Sequence, residues 1–179
     1  MKRFLSILIL LALSGLALPA QSAETKKELD YKKKGVFLGG ELGALVGFDD
    51  GELIGAPGKL DFLVGYQINP YVSVAADLWT FWFIAYAAEA HVKANFTDSK
   101  ISPYAVGTAG IAGVINAFED GGNSPVGLIY SAGLGVDFHL WKQGTLFTDV
   151  RYRGGRSFDD DLNVNGHGLE MGVGFRWMF

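Results

Sequence analysis

From Gly168 to Phe179 apolar and non-apolar positions alternate without a slip. Leu169, Met171, Val173, Phe175, Trp177 and Phe179 fall on one side, and Gly168, Glu170, Gly172, Gly174, Arg176 and Met178 on the other. A side-chain period of two is that of a β-strand. The same alternation recurs in segments of about ten residues, the length that a tilted membrane-crossing strand needs. These segments are residues 35–47, 59–68, 71–79, 84–96, 101–114, 127–140 and 145–153. With 168–179 they make eight strands, and the predicted fold is all-β, an antiparallel up-and-down barrel spanning a membrane.

Each strand has an apolar face and a face that is small or charged. Val36, Leu38, Leu42, Ala44 and Val46 oppose Glu41 and its neighbouring glycines; Leu60, Phe62, Val64, Tyr66 and Ile68 oppose Asp61 and Gln67. Val72, Val74, Ala76 and Leu78 oppose Ser73 and Asp77, and the alanine-rich face of 84–96 opposes Glu89, His91, Lys93 and Asn95. Leu128, Tyr130, Leu134 and Phe138 oppose Ser131, Asp137 and His139, while Leu146, Val150 and Tyr152 oppose Asp149, Arg151 and Arg153. In 101–114, where small residues dominate, Tyr104 and Val106 are assigned to the apolar, outward face.

The connections also alternate. Links 69–70, 97–100 and 141–144 are short, whereas 48–58, 115–125 and 154–165 are long and rich in Gly, Asp and Asn. Short turns at one end and long loops at the other are the asymmetry of membrane barrels. The link 80–83, Thr80-Phe81-Trp82-Phe83, breaks the rule by being short and apolar, unless the flanking strands extend into it.

Alternation alone does not say which face points outward, and a soluble lipocalin-like barrel is the rival. The charged face is crowded with Gly and Ala, as a narrow eight-stranded interior requires. A water-facing surface would instead carry long Lys and Glu side chains. Tyr66, Tyr71, Phe96, Tyr104, Phe138, Trp141, Trp177 and Phe179 all fall near the short-turn end, where an aromatic girdle would meet a membrane interface. The apolar face is therefore expected to meet lipid.

The first residues point to export. Lys2 and Arg3 precede an apolar stretch from Phe4 to Leu18, and small residues follow through Ala23. Residues 1–22 read as a secretory signal peptide, cleaved after Ser22 or Ala23. Residues 23–34 read as a flexible, Lys-rich periplasmic leader, and 35–179 as the barrel. The longest later apolar run, about 79–88, is too short for a transmembrane helix. Removing 1–22 takes away Lys2 and Arg3 and no acid, so the formal charge falls from −4 to about −6, which argues against nucleic acid as a partner. The chain has no Cys, so disulfide and thiol chemistry are excluded.

The ending Trp177-Met178-Phe179, with Phe175 before it, resembles the C-terminal signature of bacterial outer-membrane β-barrels. Ser102-Pro103-Tyr104-Ala105-Val106-Gly107 and Ser131-Ala132-Gly133-Leu134-Gly135-Val136-Asp137 resemble strand sequences of the small OmpA/OmpX-like and opacity-type barrels. That resemblance implies the outer membrane of a Gram-negative bacterium. It implies outer-membrane lipid, lipopolysaccharide and the barrel-assembly machinery as partners, with Phe175, Trp177 and Phe179 as the assembly signal. A monomer is expected.

The candidate chemistry lies on the inward face. Glu41, Asp61, Asp77, Glu89, His91, Lys93, Arg151, Glu170 and Arg176 are expected to form an ion-pair network filling the lumen. Arg151 is expected to be the central counter-ion, with His91 and Lys93 helping. A small channel for ions or solutes is the alternative reading. Lipid A deacylases among small barrels use a His and a Ser two residues apart, and this chain has no His-x-Ser, so no enzyme and no cofactor are expected. Asp161, Asn163 and Asn165 match the first half of a calcium loop, but Gly172 stands where the bidentate Glu is required, so a metal is not expected there. Acidic residues in the long links, among them Asp49, Asp50, Glu52, Glu119, Asp120, Asp159 and Asp160, are candidates for sharing divalent cations with phosphorylated lipid.

Overall fold

A computed structural model of the chain describes residues 34–49, 52–82, 85–114, 126–158 and 167–179. The signal peptide, nearly all of the leader, the calcium-like Asp161, Asn163 and Asn165, and most of the acidic loop residues lie outside these. Eight strands form one closed barrel in sequence order: β1 (Gly35–Asp49), β2 (Glu52–Gln67), β3 (Val72–Phe81), β4 (Ala85–Asn95), β5 (Ile101–Val114), β6 (Val126–His139), β7 (Gly144–Ser157) and β8 (His167–Met178). Every neighbouring pair is antiparallel, and β8 returns to β1 through pairs such as Leu42↔Val173. Closure removes the sheet edge, which alone would expose a row of unpaired backbone groups.

The strands differ from the sequence reading mainly at the long-link end. Residues 52–58, assigned to a loop, belong to β2, whose pairing with β1 runs out to Asp49↔Glu52. Gly55-Ala56-Pro57-Gly58 carries the composition of a turn, but a bulge absorbs it. Gly43 pairs with Lys59 and Ala44 with Pro57, so Gly58 is the extra residue. Its φ of 109° is one that a side chain resists, and a Cβ there would lie 2.5 Å from the Trp82 ring. Likewise Gly154-Gly155-Arg156-Ser157 continues β7, because it pairs with Gly127–Tyr130 of β6. In the 80–83 link, Thr80 and Phe81 continue β3 and Trp82 turns. At the short-link end, the Asn69 side chain accepts hydrogen bonds from the Tyr71 and Val72 amides at 2.8 and 2.9 Å, so an Asx turn closes β2 onto β3.

The assignment of Tyr104 and Val106 to the outer face is corrected: they are 1% and 5% exposed and lie inside. Residues directly opposite in a ladder share a face. Val106 pairs with Lys93, and Lys93 is buried inside the barrel. In a strand of mostly Gly and Ala both faces look alike, so the neighbours decide. Tyr104 therefore leaves the girdle, which keeps Tyr66, Tyr71, Phe96, Trp141 and Phe179 as exposed members. Trp141 packs on Phe175 and Trp177 with ring centroids 5.8 and 6.4 Å apart.

The outer wall is a belt of exposed apolar side chains, with Leu42, Leu78, Ile111, Leu134 and Val173 among them. Among the described residues, the barrel interior holds one small apolar cluster: Phe37, Leu63, Tyr104, Val106, Phe147 and Met178. Three rings in it lie in notches left by glycine. A Cβ on Gly65 would come 2.3 Å from Phe37, one on Gly135 2.4 Å from Tyr104, and one on Gly174 2.3 Å from Phe147.

Gly174→Ala is expected to destabilise the protein by about 1–3 kcal/mol through overpacking, since the added methyl would also meet the Gly40 carbonyl at 2.5 Å and cannot be relieved by the ring alone. Gly107→Ala should change little, because its nearest contact is the Ser131 carbonyl at 3.8 Å. Urea unfolding in detergent compares the two; equal effects would mean the glycine notches do not hold the rings.

Candidate functional site

Inside the barrel, position along each strand sets depth, and the charged residues sort into two groups separated by the apolar cluster. The larger group lies toward the long-link end. It contains Glu41 of β1, Lys59 and Asp61 of β2, Asp77 of β3, Glu89 of β4, Asp149, Arg151 and Arg153 of β7, and Glu170 of β8. All of these are 6% exposed or less.

Arg151 reaches across β8. Its Nε donates to Asp149 at 2.8 Å, one Nη donates to Glu41 of β1, two strands away, and the other lies 3.3 Å from Glu170. Lys59 donates to Asp61 at 2.5 Å and to Glu170 at 2.6 Å. Arg153 donates to Glu89 and Glu170. Glu89 is further held by the Trp79 indole N–H and by the Thr108 hydroxyl, which in turn meets Ser131 at 2.8 Å. Lys59 and Arg153 both lie over the Trp79 ring, at 5.4 and 5.1 Å from its centroid. A fork-shaped guanidinium suits this task, because it can serve several carboxylates in fixed directions.

The smaller group lies toward the short-link end. Asp137 of β6 accepts from Lys93 of β4 and from Arg176 of β8, the latter at 2.6 Å. Lys93 sits 4.5 Å above Tyr104, and Arg176 sits 5.4 Å from both Phe37 and Phe147. Each cation thus meets an acid on one side and a ring face on the other. Tyr104 ties the two groups together: its hydroxyl donates to Asp149 at 2.9 Å while its ring lies under Lys93.

The structure places all nine of the sequence-predicted lumen residues inside, and brings six of them (Glu41, Asp61, Asp77, Glu89, Arg151 and Glu170) into the larger group. Lys93 and Arg176 lie in the smaller group, so Lys93 does not assist Arg151 directly. His91 does not assist it either. Its ring nitrogens have no hydrogen-bond partner, and it lines a void of about 10 Å³ beside Leu63, Lys93 and Phe147. The help comes from Lys59 and Arg153. Lys59 was missed because it stood at the edge of a presumed loop; its signal was the two-residue spacing to Asp61, which puts both on one face. Trp79 was missed at a presumed strand end, although it shares the odd-numbered face of Ser73 and Asp77.

Ligand oxygens of Glu41, Asp61 and Glu170 lie within 4.8 Å of one another, close enough to bind one ion. The Lys59 ammonium already occupies the space between Asp61 and Glu170. Above this group, at the long-link end, a cavity of about 370 Å³ opens between Leu45, Ala112, Ile129 and the glycines of β7, with Trp79 and Arg153 lining it as well.

Arg151→Ala is expected to lower stability by about 3–5 kcal/mol, because it leaves buried carboxylates without their counter-ion. Arg151→Lys keeps the charge, loses the fork and should fall between. Urea unfolding of refolded protein measures both, and an Arg151→Ala midpoint equal to wild type would show that the lumen is not organised around this residue.

Neither a protein-family model nor a curated protein sequence matches the chain. Solved structures do match it in shape. The N-terminal β-barrel domain of Pseudomonas aeruginosa OprF is 13% identical with a TM-score of 0.55, over 81% of this chain and 100% of that one. Neisserial surface protein A is 18% identical with a TM-score of 0.59, over 83% of this chain and 99% of that one. The chain has the fold of the small eight-stranded outer-membrane barrels.

Proposed function

We propose that this chain is a monomeric, non-catalytic outer-membrane barrel of a Gram-negative bacterium, with a lumen plugged by ion pairs and an outer end that interacts with other molecules. The observation that carries the reading is the outer wall. Besides the girdle at the short-link end, Trp82, Tyr86, Tyr130, Tyr152 and Phe158 are exposed at the long-link end. Along β4 the two girdles are represented by Tyr86 and by Phe96, the residue just past its end, ten residues apart, or about 25 Å along the barrel axis at the usual rise and tilt. That is the height of a bilayer's apolar band between its interfaces. Between them the wall is a continuous apolar belt far larger than a soluble monomer exposes.

The plug reading rests on the fully buried Arg151, Glu170, Asp77 and Asp137, and on the rings of Phe37, Tyr104 and Phe147 across the lumen. An eight-stranded barrel leaves room for side chains and little else. The 370 Å³ cavity gives the long-link end a recess where a ligand or partner segment would enter. Lipid and lipopolysaccharide are the partners of the belt, and the assembly machinery is the partner of the Phe175, Trp177 and Phe179 face of β8. No cofactor is called for.

Val173→Arg places a charge on the belt, and should cost roughly 2–4 kcal/mol if that position lies near the bilayer midplane. The fraction folded into lipid vesicles should drop for this variant and not for Lys142→Ala in a short link. Equal insertion would sink the lipid-facing assignment. Planar-bilayer recordings of wild type should show no defined conductance, and regular steps would replace the plug with a channel.

A further inference from the structure

We infer that the cavity at the long-link end binds a single-chain anionic amphiphile of the fatty-acid class, tail inward and acid outward, with Arg156 holding the head. The inference rests on the reading of a plugged barrel with an interacting outer end, and names the ligand of that end. Deeper in the lumen, charges and rings fill the bore. At the mouth the inward positions change to Gly47, Ala85, Ala112, Gly127, Gly155 and Gly168, and the space they leave is the 370 Å³ cavity. Gly155 shows the difference from the ring notches below. A Cβ there would meet nothing closer than Ile129 at 3.3 Å, whereas one on Gly174 would strike the Phe147 ring at 2.3 Å. Glycine inside a strand costs stability and marks a place that something approaches closely.

The walls favour an apolar body. Leu45, Ile129 and Trp79 supply the larger surfaces between the small residues. A concave, mostly apolar site with a few placed polar groups is the usual form of a small-molecule pocket, and such pockets hold about 300–1,000 Å³. This one lies at the lower end, which admits one hydrocarbon chain and excludes the body of a lipid with several. It is also blind, because Phe37, Tyr104 and Phe147 close the bore beneath it. A molecule that enters is held there.

Charge sets the sign of the head and its place. Among the described residues, the ionisable side chains lining the cavity are Arg153, Arg156 and His167, with no acid. Arg153, at the floor, already serves Glu89 and Glu170. It belongs to a group in which six carboxylates face three cations, so an acid head is repelled from the floor. Arg156 stands three residues further along β7, or roughly 10 Å toward the mouth at the usual strand rise. It is exposed, and among the described residues no acid pairs with it. A guanidinium in that state suits a carboxylate, which it can bind through two parallel N–H donors.

The probe is decanoic acid with a photoreactive diazirine at the tail end, added at pH 8 to the full chain in lipid nanodiscs, with adducts located by peptide mass spectrometry. Labelling should saturate, fall on Leu45, Trp79 or Ile129, and be competed by unlabelled decanoate. Arg156→Glu should raise the decanoate concentration needed for competition by about tenfold, the loss of a charge-assisted hydrogen bond, and leave competition by decanol unchanged. Ala112→Phe, on the inward face that Ala112 shares with Thr108, should fill the cavity and abolish floor labelling by both. The heat-modifiable folded band checks each variant, and Arg156→Glu, at an exposed position, decides alone if Ala112→Phe does not fold. Failure of the wild type to insert would count against the barrel reading itself. In inserted protein, adducts confined to outer-belt residues such as Leu42 and Leu78 would mean simple partition into lipid and overturn the inference. So would floor labelling that survives in folded Ala112→Phe, or decanoate competition that Arg156→Glu leaves unchanged.

Discussion

Everything inside this molecule follows from the bore of an eight-stranded barrel. Half of each strand's side chains point into a cylinder too narrow for bulk water. A charge placed there loses its hydration and must find a partner on another strand, at a cost of several kcal/mol if it does not. Arg151 is the clearest answer to that constraint. It is 0% exposed, yet it reaches Asp149 on its own strand, Glu170 on the neighbouring strand and Glu41 on the strand beyond. Its contacts tie β7 to β8 and β1, the place where the sheet closes on itself.

The same constraint explains the layering. Cations are paired with acids above and below an apolar layer, and the layers touch through ring faces. Lys59 and Arg153 lie over Trp79, Lys93 over Tyr104, and Arg176 between Phe37 and Phe147. A ring face supplies partial negative charge without a second desolvated carboxylate. The rings need width that eight strands do not offer, and Gly65, Gly135 and Gly174 provide it by omission of a side chain. Glycine in these strands is thus a volume requirement of the interior and costs strand propensity.

The two charged groups are not equivalent. Toward the long-link end carboxylates exceed cations, whereas at the other end Lys93 and Arg176 share the single acid Asp137. The excess of carboxylates over cations therefore lies at the end where the cavity opens. The apolar layer separates the groups, and the Tyr104 hydroxyl, on Asp149, bridges it.

The eight-stranded barrel and the inward set Glu41, Asp61, Asp77, Glu89, His91, Lys93, Arg151, Glu170 and Arg176 were legible in the sequence, because a period of two and the alternation of short and long links are local properties of the chain. Local pattern failed where its signal is degenerate or interrupted. Tyr104 and Val106 lie in a strand of small residues whose two faces look alike, and only the pairing of Val106 with Lys93 turned them inward. The β2 extension was hidden by Pro57-Gly58, which reads as a turn until a bulge folds it into the ladder. Which cation serves which acid was also beyond the sequence. Strand period tells that Arg151 and Lys93 share the lumen, but their depth depends on the stagger between strands. That stagger put Lys93 with Asp137 and brought Lys59 and Arg153 to the side of Arg151, because register across the barrel is a property of the closed sheet and of no single strand.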